Sequence, residues 1–281
     1  IESGILEWSQ TGVPADDLLI YLVDHGGPAV FELDQKNTLA ALELADMLDR
    51  LQSIIPGKVV IVYDACQSGS FVEPLTSSKF DRMVITSAED DEPALFAAKG
   101  DVSFSKHFWA TYLVSGNLYD SYVSGKNAMR AFGSRGQSAL LEADGELGSN
   151  TKQDLIAARG FSIGKGIALA SDSPEINSVS APRTVTGAET VSLEAFQVSG
   201  TSPIKRVWAN VNSPDRLILD ADRPVVNLEL VELKDEDGDD NWEGFYSDFS
   251  IKGTYEFQIF AENENGFISV PTTQKPNKTV V

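Results

Sequence analysis

The chain has 281 residues, 42 of them acidic and 22 basic, a formal net charge of −20, and 42% hydrophobic against 23% charged residues. This is the balance of a soluble globular protein of one large domain or two ordinary ones, and its acidity argues against a nucleic-acid partner, which needs a positive face. The longest apolar runs are too short for a membrane span, and a single cysteine, Cys66, excludes an internal disulfide.

Ile1 to Gln10 reads as the end of a helix. The apolar run Leu18 to Val23 follows Asp17 and breaks at Asp24-His25-Gly26-Gly27; apolarity without alternation predicts a strand buried on both faces. From Thr38 to Ile55, leucines at helical spacing with acids opposite predict an amphipathic helix that Pro56-Gly57 ends. A second buried strand is predicted over Val59 to Tyr63, ending at Asp64-Ala65-Cys66, and a third over Arg82 to Ser87. Helices are predicted over Ser105 to Ser115 and Ser121 to Gly133. This rhythm predicts an α/β domain with an open, mostly parallel sheet and flanking helices.

Ser162 to Pro174, rich in Gly, Ser and Ala, reads as a domain junction. Beyond it, short strands are predicted at Val191 to Val198, Ile204 to Val211, Val225 to Val231, Gly253 to Glu262 and Gly266 to Val270. Short strands separated by turn residues suggest an all-β immunoglobulin-like sandwich. Asp235 to Asp240 lacks a full calcium-loop pattern and reads as a charged hairpin turn. His107, among Phe108, Trp109 and Tyr112, reads as a packed helix residue.

A thiol attacks a carbonyl as thiolate and so needs a nearby base, for which histidine is the usual choice. His25 closes one predicted strand and Cys66 the next, and parallel strands would bring both to the carboxyl rim of the sheet, where sites form in open α/β folds. Gly26 and Gly27 would let backbone approach a substrate and aim N–H groups at an oxyanion. The bland alternative is a histidine capping a strand and a packed cysteine.

Tyr-Leu-Val-Asp-His-Gly-Gly (21–27) and Ile-Val-Tyr-Asp-Ala-Cys-Gln-Ser-Gly-Ser (61–70) resemble the histidine and cysteine motifs of the legumain (C13-type) family, and more distantly those of caspases, clostripain, gingipains and separases. The resemblance covers Ala15 to Trp109 and implies a caspase-like fold over 1–172, with the upstream strand and helix of the family domain missing, followed by an Ig-like sandwich over 173–281 of the kind attached to bacterial members. It implies peptide hydrolysis through an acyl-enzyme with no cofactor and no metal: Cys66 as nucleophile, His25 as general base, and the N–H groups of Gly26 and Cys66 as oxyanion hole. It also implies a primary pocket around Asp64, with Ser87 and Ser105 as walls. A buried carboxylate there favours Asn or a basic residue (Arg or Lys) at P1 and disfavours Asp, although Ala94-Leu95 stands where legumains carry small hydroxyl residues. The acidic loop Glu89 to Glu92 is either a reader of basic residues beyond P1 or a solvated loop.

The expected partner is a protein or peptide substrate, the second domain being able to bind a surface or protein, and the expected location is secreted, periplasmic or at the cell surface. Two alternatives stand beside the endopeptidase: a transpeptidase or ligase on the same dyad, and a non-catalytic scaffold with a degenerate site.

Overall fold

The computed structural model describes residues 2–6, 17–97, 100, 102–130, 137–161, 163, 173–185, 189–214, 225–226, 229–269, 272–273 and 277–279. In the first half the strands are β1 (Leu18–Val23), β2 (Gly26–Gly27), β3 (Val30–Glu32), β4 (Thr38–Ala40), β5 (Val59–Asp64), β6 (Arg82–Thr86), β7 (Phe96–Ala97) and β8 (Leu140–Glu142). The helices are α1 (Glu2–Leu6), α2 (Ala41–Gln52), α3 (Val72–Leu75), α4 (Phe104–Ser115), α5 (Leu118–Arg130) and α6 (Lys152–Arg159).

The main sheet has the order β1-β5-β6-β8, parallel in its first three strands and antiparallel at β8. Side chains alternate across a strand, so the unbroken apolar run of β5 serves two cores. Val59, Ile61 and Tyr63 face Leu44, Leu48 and Leu51 of α2; Val60 and Val62 face a cluster built from Phe104 and Phe108 of α4 and Leu118 and Tyr122 of α5. All six β5 residues are buried.

Strand β1 departs from expectation. Its residues are half-buried or exposed, with Val23 at 43%. Among the described residues it is an edge strand, paired on one side with β5, and burial of a strand is decided by its neighbours as much as by its own apolarity. The predicted helix over 38–55 is shorter, because Thr38–Ala40 pairs with β3 before the chain turns helical. Helix α4 starts behind Ser103, whose hydroxyl accepts the Lys106 N–H, and stops at Gly116 in the left-handed region.

The second half is antiparallel: β9 (Glu175–Val179), β10 (Val191–Ser199), β11 (Ile204–Asn212), β12 (Val225–Val226), β13 (Glu229–Leu233), β14 (Trp242–Tyr246), β15 (Gly253–Asn263), β16 (Thr272–Thr273) and β17 (Asn277–Thr279). One sheet runs β14-β10-β9 and the other β13-β11-β15-β16, with β17 also on β15. Their inward residues, among them Leu193, Ala195, Val207, Ala209, Tyr255 and Ile259, share one core. The predicted strand over 266–270 is reduced to a bridge between Ile268 and Glu262, Val270 lying outside the described residues. Most of the Ser162 to Pro174 junction also lies outside them. Asp235 closes the turn between β13 and β14, its carboxylate accepting the N–H groups of Gly238, Asp239 and Asp240.

The halves are not independent. Trp208, Phe260 and Ile268 join the first-half core beside α4, Trp208 stacking on Phe260 at 5.4 Å. Strand β7 also pairs in parallel with β12.

His107 is sealed at this junction, 2% exposed, its ring 6.4 Å from that of Phe260 and its Nε2 without a hydrogen-bond partner among the described residues. Burial, aided by Lys106, pulls its pKa from 6.5 down to about 4. The folded state therefore favours the neutral ring, and that contribution is whole above pH 6.5 and lost as pH falls through 4. Between pH 7 and pH 4 the wild type is expected to lose about 3 kcal/mol that His107→Leu does not lose, as measured by urea unfolding at both pH values.

Candidate active site

The last paired residues of β1 and β5 are Val23 and Asp64, in register. His25 and Cys66 each lie two residues further on, so both leave the sheet at the same level of its carboxyl rim. The Asp24 carboxylate accepts the His25 N–H at 2.8 Å and fixes the strand-end turn, and His25 itself is exposed. Gly26 and Gly27 pair with Phe31 and Val30, folding the histidine segment into a small sheet over the Cys66 loop.

Contact between the two loops is close. A Cβ on Gly26 would stand 2.5 Å from the Cys66 carbonyl oxygen and 2.5 Å from Tyr63 Oη, so only glycine fits. Ser70 Oγ accepts the Ala29 N–H at 2.9 Å and donates to the Gln67 carbonyl at 2.6 Å, pinning one loop to the other. Ala29 and Gln67, the residues so tied, are non-glycines with φ of 55° and 56°. Strain of this kind persists only where surrounding contacts over-determine the backbone. A third loop, after β6, joins through Ser68 Oγ, which accepts the Ala88 N–H, and through Gly69, which packs against the backbone of Glu89 and Asp90.

Cys66 is covered, 1% exposed. The cover is the segment after the acidic loop: Glu92 takes the Gln67 N–H on its carbonyl, and the Ala94 N–H donates to Cys66 Sγ at 3.4 Å. That segment is held in turn by Ser138, which donates its N–H and hydroxyl to the Glu92 carboxylate, and by Gln137, which accepts the Leu95 N–H. Glu92 thus has a structural part, whereas Glu89, Asp90 and Asp91 are solvated.

Asp64 is fully buried at the end of β5. Its Oδ2 accepts the Ser105 N–H at 3.0 Å and the Ser105 hydroxyl at 2.5 Å; Oδ1 and Ser87 Oγ are buried and close together, and neither has a hydrogen bond of regular geometry among the described residues. Burial pushes the Asp64 carboxyl above its ordinary range, against the opposing hydrogen bonds from Ser105. Beyond Ser105 opens a cavity of about 460 Å³ lined by Tyr21, Lys106, Trp109 and, from the second half, Gly266 and Phe267. Of the sequence-predicted site residues, Gly26 meets the Cys66 carbonyl and Ser105 meets Asp64, while His25 and Cys66 follow β1 and β5 at the carboxyl rim and Ser87 follows β6. Sequence reading gave Ser70 and Ala94 no such parts, which depend on contacts 41 and 28 residues away.

Residues 10–122 match the model of the peptidase C13 family. The similarity is confined to that segment, which is legumain-like in its two motifs. The vacuolar-processing enzymes of Phaseolus vulgaris and Glycine max are each 30% identical to the chain over 80 residues, which make up 28% of this chain and 16% of each enzyme. The delta isozyme of Arabidopsis thaliana is 28% identical over the same length, 17% of its own. The chain thus matches about one sixth of these curated relatives. The match to this family implies a caspase-like fold for the mixed, helix-flanked sheet.

Within the C13 segment the glycine at the loop contact gives a direct check. Gly26→Ala is expected to cost about 2–4 kcal/mol in chemical denaturation. Gly160→Ala, whose Cβ would meet only the Ala157 carbonyl at 3.6 Å, is expected to stay within about 0.5 kcal/mol of wild type.

Proposed function

We propose that the chain is a cysteine endopeptidase in which His25 is the general base and Cys66 the nucleophile, the transfer of both loops to one rim by parallel β1 and β5 being the observation that carries the reading. The His25 imidazole takes the thiol proton, and the thiolate attacks the scissile carbonyl. The tetrahedral oxyanion is received by the N–H groups of Gly26 and Cys66. The intermediate then breaks its C–N bond, the leaving amine taking the proton from His25, and water releases the acid from the thioester.

Because Sγ is covered, the reaction requires Glu92 to Leu95 to lift from Cys66 before a peptide can enter. The acceptor left over on Asp64 and the hydroxyl of Ser87 suit a P1 side chain that donates hydrogen bonds, a guanidinium, an ammonium or the amide of Asn. An acidic P1 would bring a second carboxylate against Asp64. The proposed organisation is a peptidase domain over 1–172 and an Ig-like sandwich over 173–281, whose Gly266 and Phe267 border the cavity next to Ser105; the sandwich is the part proposed to bind a surface or protein partner.

A peptidyl acyloxymethyl ketone is expected to label the reduced protein at Cys66, with no label on Cys66→Ala and labelling at least about 100-fold slower on His25→Ala. A positional-scanning library is expected to give cleavage after Asn, Arg or Lys and none after Asp. A reduced, folded protein that takes no label would favour a non-catalytic scaffold and overturn the reading.

A further inference from the structure

A second group of titratable side chains stands where β8 ends. Glu142 is the last residue of β8 and is fully buried. Its Oε1 accepts the Gly145 N–H at 2.7 Å, while Oε2 is buried with no hydrogen-bond partner among the described residues. Asp144 and Asp154 each bring a carboxylate oxygen to within 4.8 Å of Glu142 and of each other. Three carboxyls this close, one of them buried with an oxygen unpartnered, are costly unless Glu142 takes a proton or a cation joins the group.

Arg82 acts on Glu142 through charge but, like Lys126, gives its hydrogen bonds elsewhere. Arg82 gives its nitrogens to Gln52, the Leu75 carbonyl and Asp49, and Lys126 donates to Tyr122 Oη. The carboxylates are meanwhile held in place by backbone. Asp154 Oδ1 accepts the N–H groups of Ala143 and Asp144, and its Oδ2 accepts that of Thr151 in the capping box that opens α6. Gly145 takes φ of 78°, and its Cβ would stand 2.6 Å from the Ser77 carbonyl oxygen, so the turn that aligns Glu142 with Asp144 demands glycine.

We infer that Glu142, Asp144 and Asp154 form a site for a hard divalent cation of the calcium type. The donor set is oxygen throughout, with no imidazole or thiolate, which selects against zinc and copper. Three carboxylates set around a turn suit the larger, irregularly coordinated ion better than magnesium, and water would complete the shell. The site stands apart from the catalytic reading, yet it bears on the same face: Leu147, Gly148 and Ser149 of this loop line a cleft of about 640 Å³ with Gly69, Ser70 and Glu89, next to the Cys66 loop. A cation at Glu142 fixes that wall.

The test is calcium titration of the chelator-treated whole chain by calorimetry, paired with thermal melts. Wild type is expected to bind with one component that weakens at least about tenfold in both Glu142→Gln and Asp144→Asn. Calcium should raise the melting temperature of wild type by about 3 °C or more and leave that of Glu142→Gln unmoved. Asp237→Asn, in the exposed acidic turn, is the control and should retain that component. No binding up to about 10 mM calcium, binding undiminished in both Glu142→Gln and Asp144→Asn, or binding lost in Asp237→Asn would each overturn the assignment.

Discussion

The approach of Gly26 to the carbonyl of Cys66 is the constraint on which the rest of the rim depends. Parallel pairing of β1 with β5 brings the two chain segments to the same height, but equal height leaves them a strand spacing apart. Closing that distance takes a residue with no side chain at the point of contact. Ser70 then locks the closed arrangement from beneath, and the left-handed backbone at Ala29 and Gln67 is tolerated because both ends are held. Loops placed by a rigid sheet in this way combine exposure with fixed geometry.

Beside that contact lie two kinds of unfinished polar surface. Asp64 and Ser87 keep hydrogen-bonding capacity in the interior, and Cys66 spends part of its own on Ala94 from within the chain. The covering segment is tied through Glu92 to Ser138 and continues into β7, which pairs with β12 of the second half. The segment that covers the sulfur thus runs on into a strand paired with residues more than a hundred positions downstream.

Much of the sheet could be read from the chain alone. Leu18–Val23, Val59–Asp64 and Arg82–Thr86 are apolar runs of strand length, and the leucines of α2 keep a helical period. The places of His25 and Cys66 followed from where those runs break. What stayed hidden was set by contacts distant in sequence. The partial exposure of β1 depends on which strands flank it, and β8 is three residues long with a carboxylate inside it. Trp242–Tyr246 carries a Glu-Gly pair that weakens any alternation, although pairing with β10 makes it a strand. Glu142 and Asp154 look, in the sequence, like two of many acids; only the fold shows that one is sealed and the other clamps the turn that seals it.

The stack of Trp208 on Phe260 carries a consequence for how the chain can be divided. These rings belong to the antiparallel half by connectivity and to the α/β half by burial. Cutting the chain between the two would strip the lining from α4, the helix that presents Ser105 to Asp64, and leave an apolar flank open to water. A shortened α/β fragment would therefore be a different molecule, prone to self-association and loosened at the very helix that shapes its innermost polar pocket.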